Sequence, residues 1–228
     1  MSSQRLLALL ALLALMLLSV PGSPVRGAPC SSAVEEPSET SGDEIPEISV
    51  SPAAKWKPLT RMLRCDVINL RDQQFVEEFH EPKENMSNYK ENTLPLPHVG
   101  ARDCSSSNFS KESCLQRISH GLQVFAVYLQ FVESEYSRSG KAADIKFRTK
   151  ILFDHVIHRM KNPQLVQELD SDARELLLRA LPAASAWDRK STVHVLLREF
   201  ASFLEDTYRA IRQMETQARR RPAPNRSA

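Results

Sequence analysis

Seven apolar residues, Leu115, Ile118, Leu122, Phe125, Leu129, Val132 and Tyr136, follow one another in steps of 3, 4, 3, 4, 3 and 4. An α-helix turns once every ~3.6 residues, so side chains at this spacing share one stripe. A stripe held over three heptads is the seam of a helix bundle. Ser110 stands where an N-cap is needed, with Lys111, Glu112 and Ser113 as the first turn, and the helix is predicted to start there. A single seam must bury itself against other helices, and the chain supplies three more. The first, from about residue 55 to 80, carries Leu59, Leu63, Val67 and Leu70 on one face, with Phe75 and Phe79 near its end, Pro58 in its first turn and Pro82 after its stop. The third, from about 142 to 160, presents Ile145, Leu152, Val156 and Met160 and is ended by Asn162-Pro163. The fourth, from about 185 to 217, carries Val193, Leu197, Phe200, Leu204, Ile211 and Met214 around a polar Thr207. No alternating strand pattern, internal repeat or Asn-Gly hairpin turn competes, so the expected fold class is all-α.

The connections constrain the topology. Residues 81 to 109 hold Pro82, Pro95, Pro97, Gly100 and the triplet Ser105 to Ser107 with no sustained period, and read as a long crossover. Residues 137 to 141, with Gly140, form a short link. Residues 165 to 181 read as a second long connection holding a short helix, closed by Pro182. Parallel neighbours need a crossover spanning a whole helix, about 40 Å for about 27 residues. Both long links reach that far when extended, and the short one forces an antiparallel step. The order long, short, long favours an up-up-down-down long-chain four-helix bundle over the ordinary up-down-up-down one.

Residues 1 to 27 contain no acidic residue, and Leu6 to Val20 is almost continuously apolar after Arg5, with Pro21, Gly22, Pro24 and Gly27 breaking the run. The run is shorter than the ~20 apolar residues that span a bilayer and reads as a secretory signal peptide, cut after Gly27, with no membrane insertion. The expected organisation is a signal peptide over 1–27 and a disordered Ser-, Glu- and Pro-rich arm over 28–52. A four-helix domain over 53–217 and a disordered basic tail over 218–228 complete it. Without Arg5 and Arg26, 28 basic residues balance 28 acidic ones. That balance, with no basic stripe carrying interleaved aromatics, argues against a nucleic-acid partner. Secretion permits disulfides among Cys30, Cys65, Cys104 and Cys114, for which three pairings are possible. Sequons at Asn85, Asn108 and Asn225 fit the same compartment and are the candidate glycosylation sites.

Signs of chemistry are missing. No GxSxG, P-loop, GxGxxG or HExxH motif occurs, and no nucleophile has a plausible base, so catalysis is not expected. His155 and His158 stand at helical spacing beside Asp154, yet zinc needs three or four converging ligands, and the residues read as helix surface. No catalytic residue, cofactor or metal site is assigned. Cys104 and Cys114, with nine residues between them, are not a CxxC redox pair. A bond between them would staple the crossover to the second helix, worth about 3 kcal/mol in the chain-entropy picture.

The run that follows is more telling: Cys104, nine residues, Cys114, six residues, Gly121-Leu122, two residues, Phe125, three residues, Leu129. It resembles the pattern shared by the interleukin-6 and granulocyte colony-stimulating factor family of helical cytokines. The flanks, Glu91 to Pro97 and His194 through Phe200, Phe203 and Leu204 to Met214, are similar to the interleukin-6 branch. The resemblance implies a secreted ligand, monomeric before assembly, that joins the interleukin-6 alpha receptor to a shared signal-transducing receptor subunit. That assembly would start JAK-STAT signalling in immune, inflammatory and acute-phase responses. The positions matching the family's alpha-receptor face are Arg209 and Arg212 near the end of the fourth helix and the aromatic Phe109. Trp187 matches the tryptophan that contacts a second copy of the transducer. Without the resemblance, the arginines read as solvated charge at a helix C-terminus and the tryptophan as bundle core. Two departures stand out: no cysteine pair lies near the end of the first helix, and Ser105 stands where an aromatic is expected. Cys30 and Cys65 either pair or stay free. The alternatives are a cytokine of the granulocyte colony-stimulating factor type and a secreted helical lipid or small-molecule carrier.

Overall fold

The computed structural model describes residues 56–88, 94–99, 104, 110–137 and 140–220. All of them fall in the compact unit Glu44–Ala228. Five α-helices are present among them: α1 Trp56–Phe79, α2 Lys111–Glu135, α3 Lys141–Ile157, α4 Ser171–Arg179 and α5 Ala186–Arg220. Short 3-10 turns at Lys83–Asn88 and Pro163–Leu165 interrupt the two long connections. The described residues contain no strand, in agreement with the all-α expectation.

Local sequence sets the helix ends. Ser110 caps α2, its Oγ accepting the Ser113 N–H at 3.3 Å. At α5, Ser185 Oγ accepts the Asp188 N–H at 3.0 Å while Asp188 Oδ2 accepts the Ser185 N–H at 3.0 Å, a reciprocal capping box. Asp170 caps α4 through the Ala173 N–H at 2.7 Å. His80 ends α1 in the left-handed region, φ 56°. The fourth bundle helix continues to Arg220, three residues past the expected Gln217, because its last turns hold no Gly or Pro until Pro222.

Every residue of the α2 seam is buried, Tyr136 included. α1 buries Leu63, Val67, Leu70 and Phe75, and α3 buries Ala142, Ile145, Leu152 and Val156. Buried hydroxyls within these stripes return to the backbone: Thr60 Oγ1 donates to the Trp56 carbonyl at 2.8 Å and Thr149 Oγ1 to the Ile145 carbonyl at 2.7 Å. Thr207, the polar member of the α5 seam, is fully buried and its hydroxyl finds no partner among the described residues. The core closes where α2 meets α5. The Phe125 ring stacks on Phe200 at 4.7 Å and tilts against Phe203 at 5.1 Å.

Contacts at the helix ends establish direction. Trp56 Nε1 at the start of α1 donates to Glu215 Oε1 near the end of α5 at 3.2 Å, and Lys190 Nζ near the start of α5 donates to the Glu78 carbonyl at the end of α1 at 2.9 Å. The Tyr136 hydroxyl, just past α2, donates to Glu77 near the end of α1 at 2.5 Å, so α1 and α2 run the same way. Arg189 at the start of α5 pairs with Glu135 at the end of α2 at 3.2 Å. Lys146 of α3 pairs with Glu133 of α2, and Lys141 Nζ at the start of α3 donates to Gln73 Oε1 of α1 at 2.7 Å. Helices α1 and α2 run up, α3 and α5 down, as the loop lengths favoured.

The bond between Cys104 and Cys114 is present, with Cα atoms 5.3 Å apart, and it ties the crossover to the first turn of α2. Cys65 is disulfide-bonded as well, while Cys30 lies outside the described residues.

Two expected outcomes follow from this core. A Cβ added at Gly121 would run into the Phe203 ring. Gly121→Ala is expected to destabilise the fold in urea unfolding by about 1–3 kcal/mol, the overpacking cost exceeding the gain in helix propensity. His194 is 2% exposed, with Nδ1–H donating to Gln74 Oε1 at 3.1 Å. Burial first, then the Arg71 charge, lowers its pKa from 6.5 to about 4. The unfolded chain, with an ordinary histidine near 6.5, takes up the proton first as pH falls. Stability from this residue is therefore complete above pH ~6.5 and lost as pH falls to about 4, by up to about 3 kcal/mol. Urea unfolding at intervals across that window should show a steeper decline for the native chain than for His194→Gln.

Candidate functional site

Near its C-terminal end α5 buries Ala210, Ile211 and Met214 and leaves Arg209 and Arg212 exposed. The Arg209 guanidinium pairs with Glu205 at 3.2 Å and with Asp206 at 3.4 Å. Glu205 also pairs with Arg64 of α1 at 2.9 Å, so Arg209 belongs to a charge network spanning two helices. Burial raises the Asp206 carboxyl above its ordinary range, opposed by the Arg209 charge. Arg212 makes no ion pair among the described residues. With Gln213, Thr216 and Gln217 the two arginines line a shallow open depression. Because α5 runs on to Arg220, neither arginine stands in the last turn, where the helix dipole acts. Solvated charge at a helix terminus therefore does not account for them, and the planar fork of Arg212 is presented with its donors uncommitted.

Beside this end of α5 lies part of the crossover. Leu96 and Val99 are buried, while exposed His98 is near enough to Asp206 to lower its pKa. Sequence reasoning missed this segment as core, although Leu94-Pro-Leu96-Pro-His98-Val99 carries apolar residues at intervals that a docked extended stretch would use. Phe109, the aromatic expected on the same face, lies outside the described residues, as do the sequons at Asn108 and Asn225. Asn85 lies in the 3-10 turn Lys83–Asn88, and its side-chain amide donates to Glu81 Oε2 at 2.8 Å.

Trp187 is at the opposite end of α5, 53% exposed rather than bundle core. It packs edge-on against Phe79 with centroids 5.5 Å apart. Lys190 Nζ lies 4.7 Å from the Trp187 ring centroid and 4.8 Å from that of Phe79. The spacing of three between Trp187 and Lys190 was the available signal for this contact, but Phe79, over a hundred residues earlier, was not legible as its partner. Roughly 38 Å of helix separates Trp187 from Arg212 at 1.5 Å per residue, so the two surfaces are distinct. Among the described residues, no group of three or more His, Cys, Asp or Glu side chains is placed to hold a metal ion, and no helix is long and apolar enough to cross a membrane. His158 Nδ1–H donates to the Asp154 carbonyl at 2.6 Å, an ordinary contact within the last turn of α3.

Residues 31–214 match the model of the Interleukin-6/G-CSF/MGF family. Interleukin-6 of Oncorhynchus mykiss is 39% identical over 196 residues, covering 83% of this chain and 89% of that protein. Interleukin-6 of Gallus gallus is 34% identical over 161 residues, 70% of this chain and 66% of that protein. Interleukin-6 of Paralichthys olivaceus is 31% identical over 209 residues, 90% of this chain and 85% of that protein. A chain from a crystal structure of a cytokine/receptor complex superposes with a TM-score of 0.58 at 18% identity, over 70% of this chain and 96% of that one, and so agrees in fold. With the seam, the staple and the bundle topology already established, the match over four helices and the identity to these relatives lead to one conclusion: this chain belongs to the Interleukin-6/G-CSF/MGF family.

Proposed function

We propose that this chain, a cytokine that acts through receptors, binds the interleukin-6 alpha receptor with the end of α5 and recruits the shared signal-transducing subunit through separate surfaces. JAK-STAT signalling in immune, inflammatory and acute-phase responses is the proposed outcome. The observation that carries the alpha-receptor reading is Arg212, exposed near the C-terminal end of α5 but before its last turn, and without an ion pair among the described residues. An arginine fork available for bidentate contacts is the kind of group on which interfaces concentrate their binding energy. Arg209 supports it from a tethered position, and Phe109 is proposed to supply the aromatic part of the same face. Trp187, exposed and braced by Phe79 and Lys190, is proposed to contact a second copy of the transducer. A half-exposed aromatic backed by packed side chains presents area with little ordering cost. Secretion is supported by the apolar run Leu6 to Val20 and by disulfide-bonded cysteines, which persist in oxidising compartments. The proposed organisation remains a signal peptide over 1–27, an arm over 28–52 and a monomeric ligand before receptor assembly.

Arg212→Glu is expected to weaken binding to the soluble alpha receptor by about 2 kcal/mol, some thirtyfold, in a calorimetric titration. Unchanged affinity would remove Arg212 from the face. Trp187→Ala is expected to leave that affinity in place and to reduce phosphorylation of the downstream transcription factor in responsive cells. Loss of both together would assign Trp187 to folding.

A further inference from the structure

A groove between α2 and α3, closed on one side by the connection into α4, lies away from Arg209, Arg212 and Trp187. Its volume is about 510 Å³, within the range of small-molecule sites. Ala126 of α2, Ala143, Phe147 and Phe153 of α3 and Leu169 of the connection give it an apolar lining. Phe147 is 65% exposed, an aromatic left in water at the mouth of the groove. The wall made by the connection is held in place by Gln123 of α2, whose Oε1 accepts the Leu169 N–H at 3.0 Å and whose Nε2 donates to the Gln167 carbonyl at 3.1 Å. This pair of bonds, made as one strand makes to another, keeps the groove preformed.

Charge on the rim has one sign in excess. Lys146, Lys150 and Arg174 line the groove against a single acid, Glu168. Lys146 is engaged by Glu133. Lys150 meets Asp154 at 3.4 Å in an exposed pair of the kind worth little in water. Arg174 gives its Nε–H to the Leu169 carbonyl at 2.8 Å and makes no ion pair among the described residues. The combination asks for an apolar body with one anionic end. A protein partner would cover about 800 Å² of surface, far beyond this groove, and a neutral lipid would leave Arg174 without an anion.

We propose that this groove binds a long-chain fatty acid, its alkyl chain against Ala126, Ala143, Phe147 and Phe153 and its carboxylate between Lys150 and Arg174. The site lies apart from Arg209, Arg212 and Trp187 and does not depend on their assignment. It is tested with the purified full-length protein by titrating cis-parinaric acid, followed by its fluorescence below its micelle-forming concentration, and displacing it with palmitate. Saturable one-to-one binding is expected, with methyl palmitate competing at least about tenfold less well than palmitate. The double substitution Lys150→Glu with Arg174→Glu should weaken binding about tenfold or more, and so should Phe147→Asp. All three positions are exposed, so circular dichroism should show undiminished helix in both variants. Non-saturable uptake, equal competition by the ester, or full affinity in both folded variants would overturn the proposal.

Discussion

The bundle depends on the contact between α2 and α5, where Phe125 stacks on Phe200 and Phe203 lies over Gly121. Each buried ring contributes roughly 1.5–3 kcal/mol by leaving water, and well-oriented aromatic pairs add about 0.5–1.5 kcal/mol. Any side chain larger than hydrogen at position 121 requires the Phe203 ring to move, because a Cβ there would overlap it. The spaced run from Cys104 to Leu129 is therefore a description of a surface. Cys114 ties down the loop at the start of α2, Gly121 admits α5, and Leu122, Phe125 and Leu129 receive it.

Direction is not contained in apolar stripes, which pack either way up. Connection lengths and polar contacts at the helix ends supply it. Tyr136 reaching Glu77 places the ends of α1 and α2 side by side, and Arg189 beside Glu135 brings the start of α5 to the same end. A partly exposed ion pair such as Arg189 with Glu135 contributes little by itself, so it registers an arrangement that burial and loop length have already selected. The buried link from His194 through Gln74 to the Lys190 carbonyl differs in kind. It satisfies polar groups that would otherwise be stranded in the core, and it sets the register of α1 against α5 at considerable cost if broken.

That frame separates the surfaces available to partners. The arginines and Trp187 share one helix yet lie at its two ends, because a 35-residue helix spans the whole bundle. Under the proposed roles, α5 would hold two proteins at once without either touching the other's contact residues. The groove between α2 and α3 occupies a third region, made by a connection that crosses the bundle and is bonded to Gln123 on the way.

Much of the fold was legible because it rests on local rules. The α2 seam, the Ser110 cap and the up-up-down-down order follow from spacing, capping chemistry and chain length, which act within a few turns or scale with contour length, whereas α3 stops at Ile157, short of the expected Met160. The candidate residues were legible only through family resemblance, since an exposed arginine or tryptophan leaves no periodic trace. What tertiary structure alone decided is the meaning of single residues. Gly121 became a seat for Phe203, Trp187 a surface residue braced by Phe79, and Lys190 the cation over both of those rings. Arg209 and Arg212, alike in sequence, became one tethered group and one available fork. In each case the partner lies on another helix or depends on how far a helix runs, and such pairings exist only once the chain has packed.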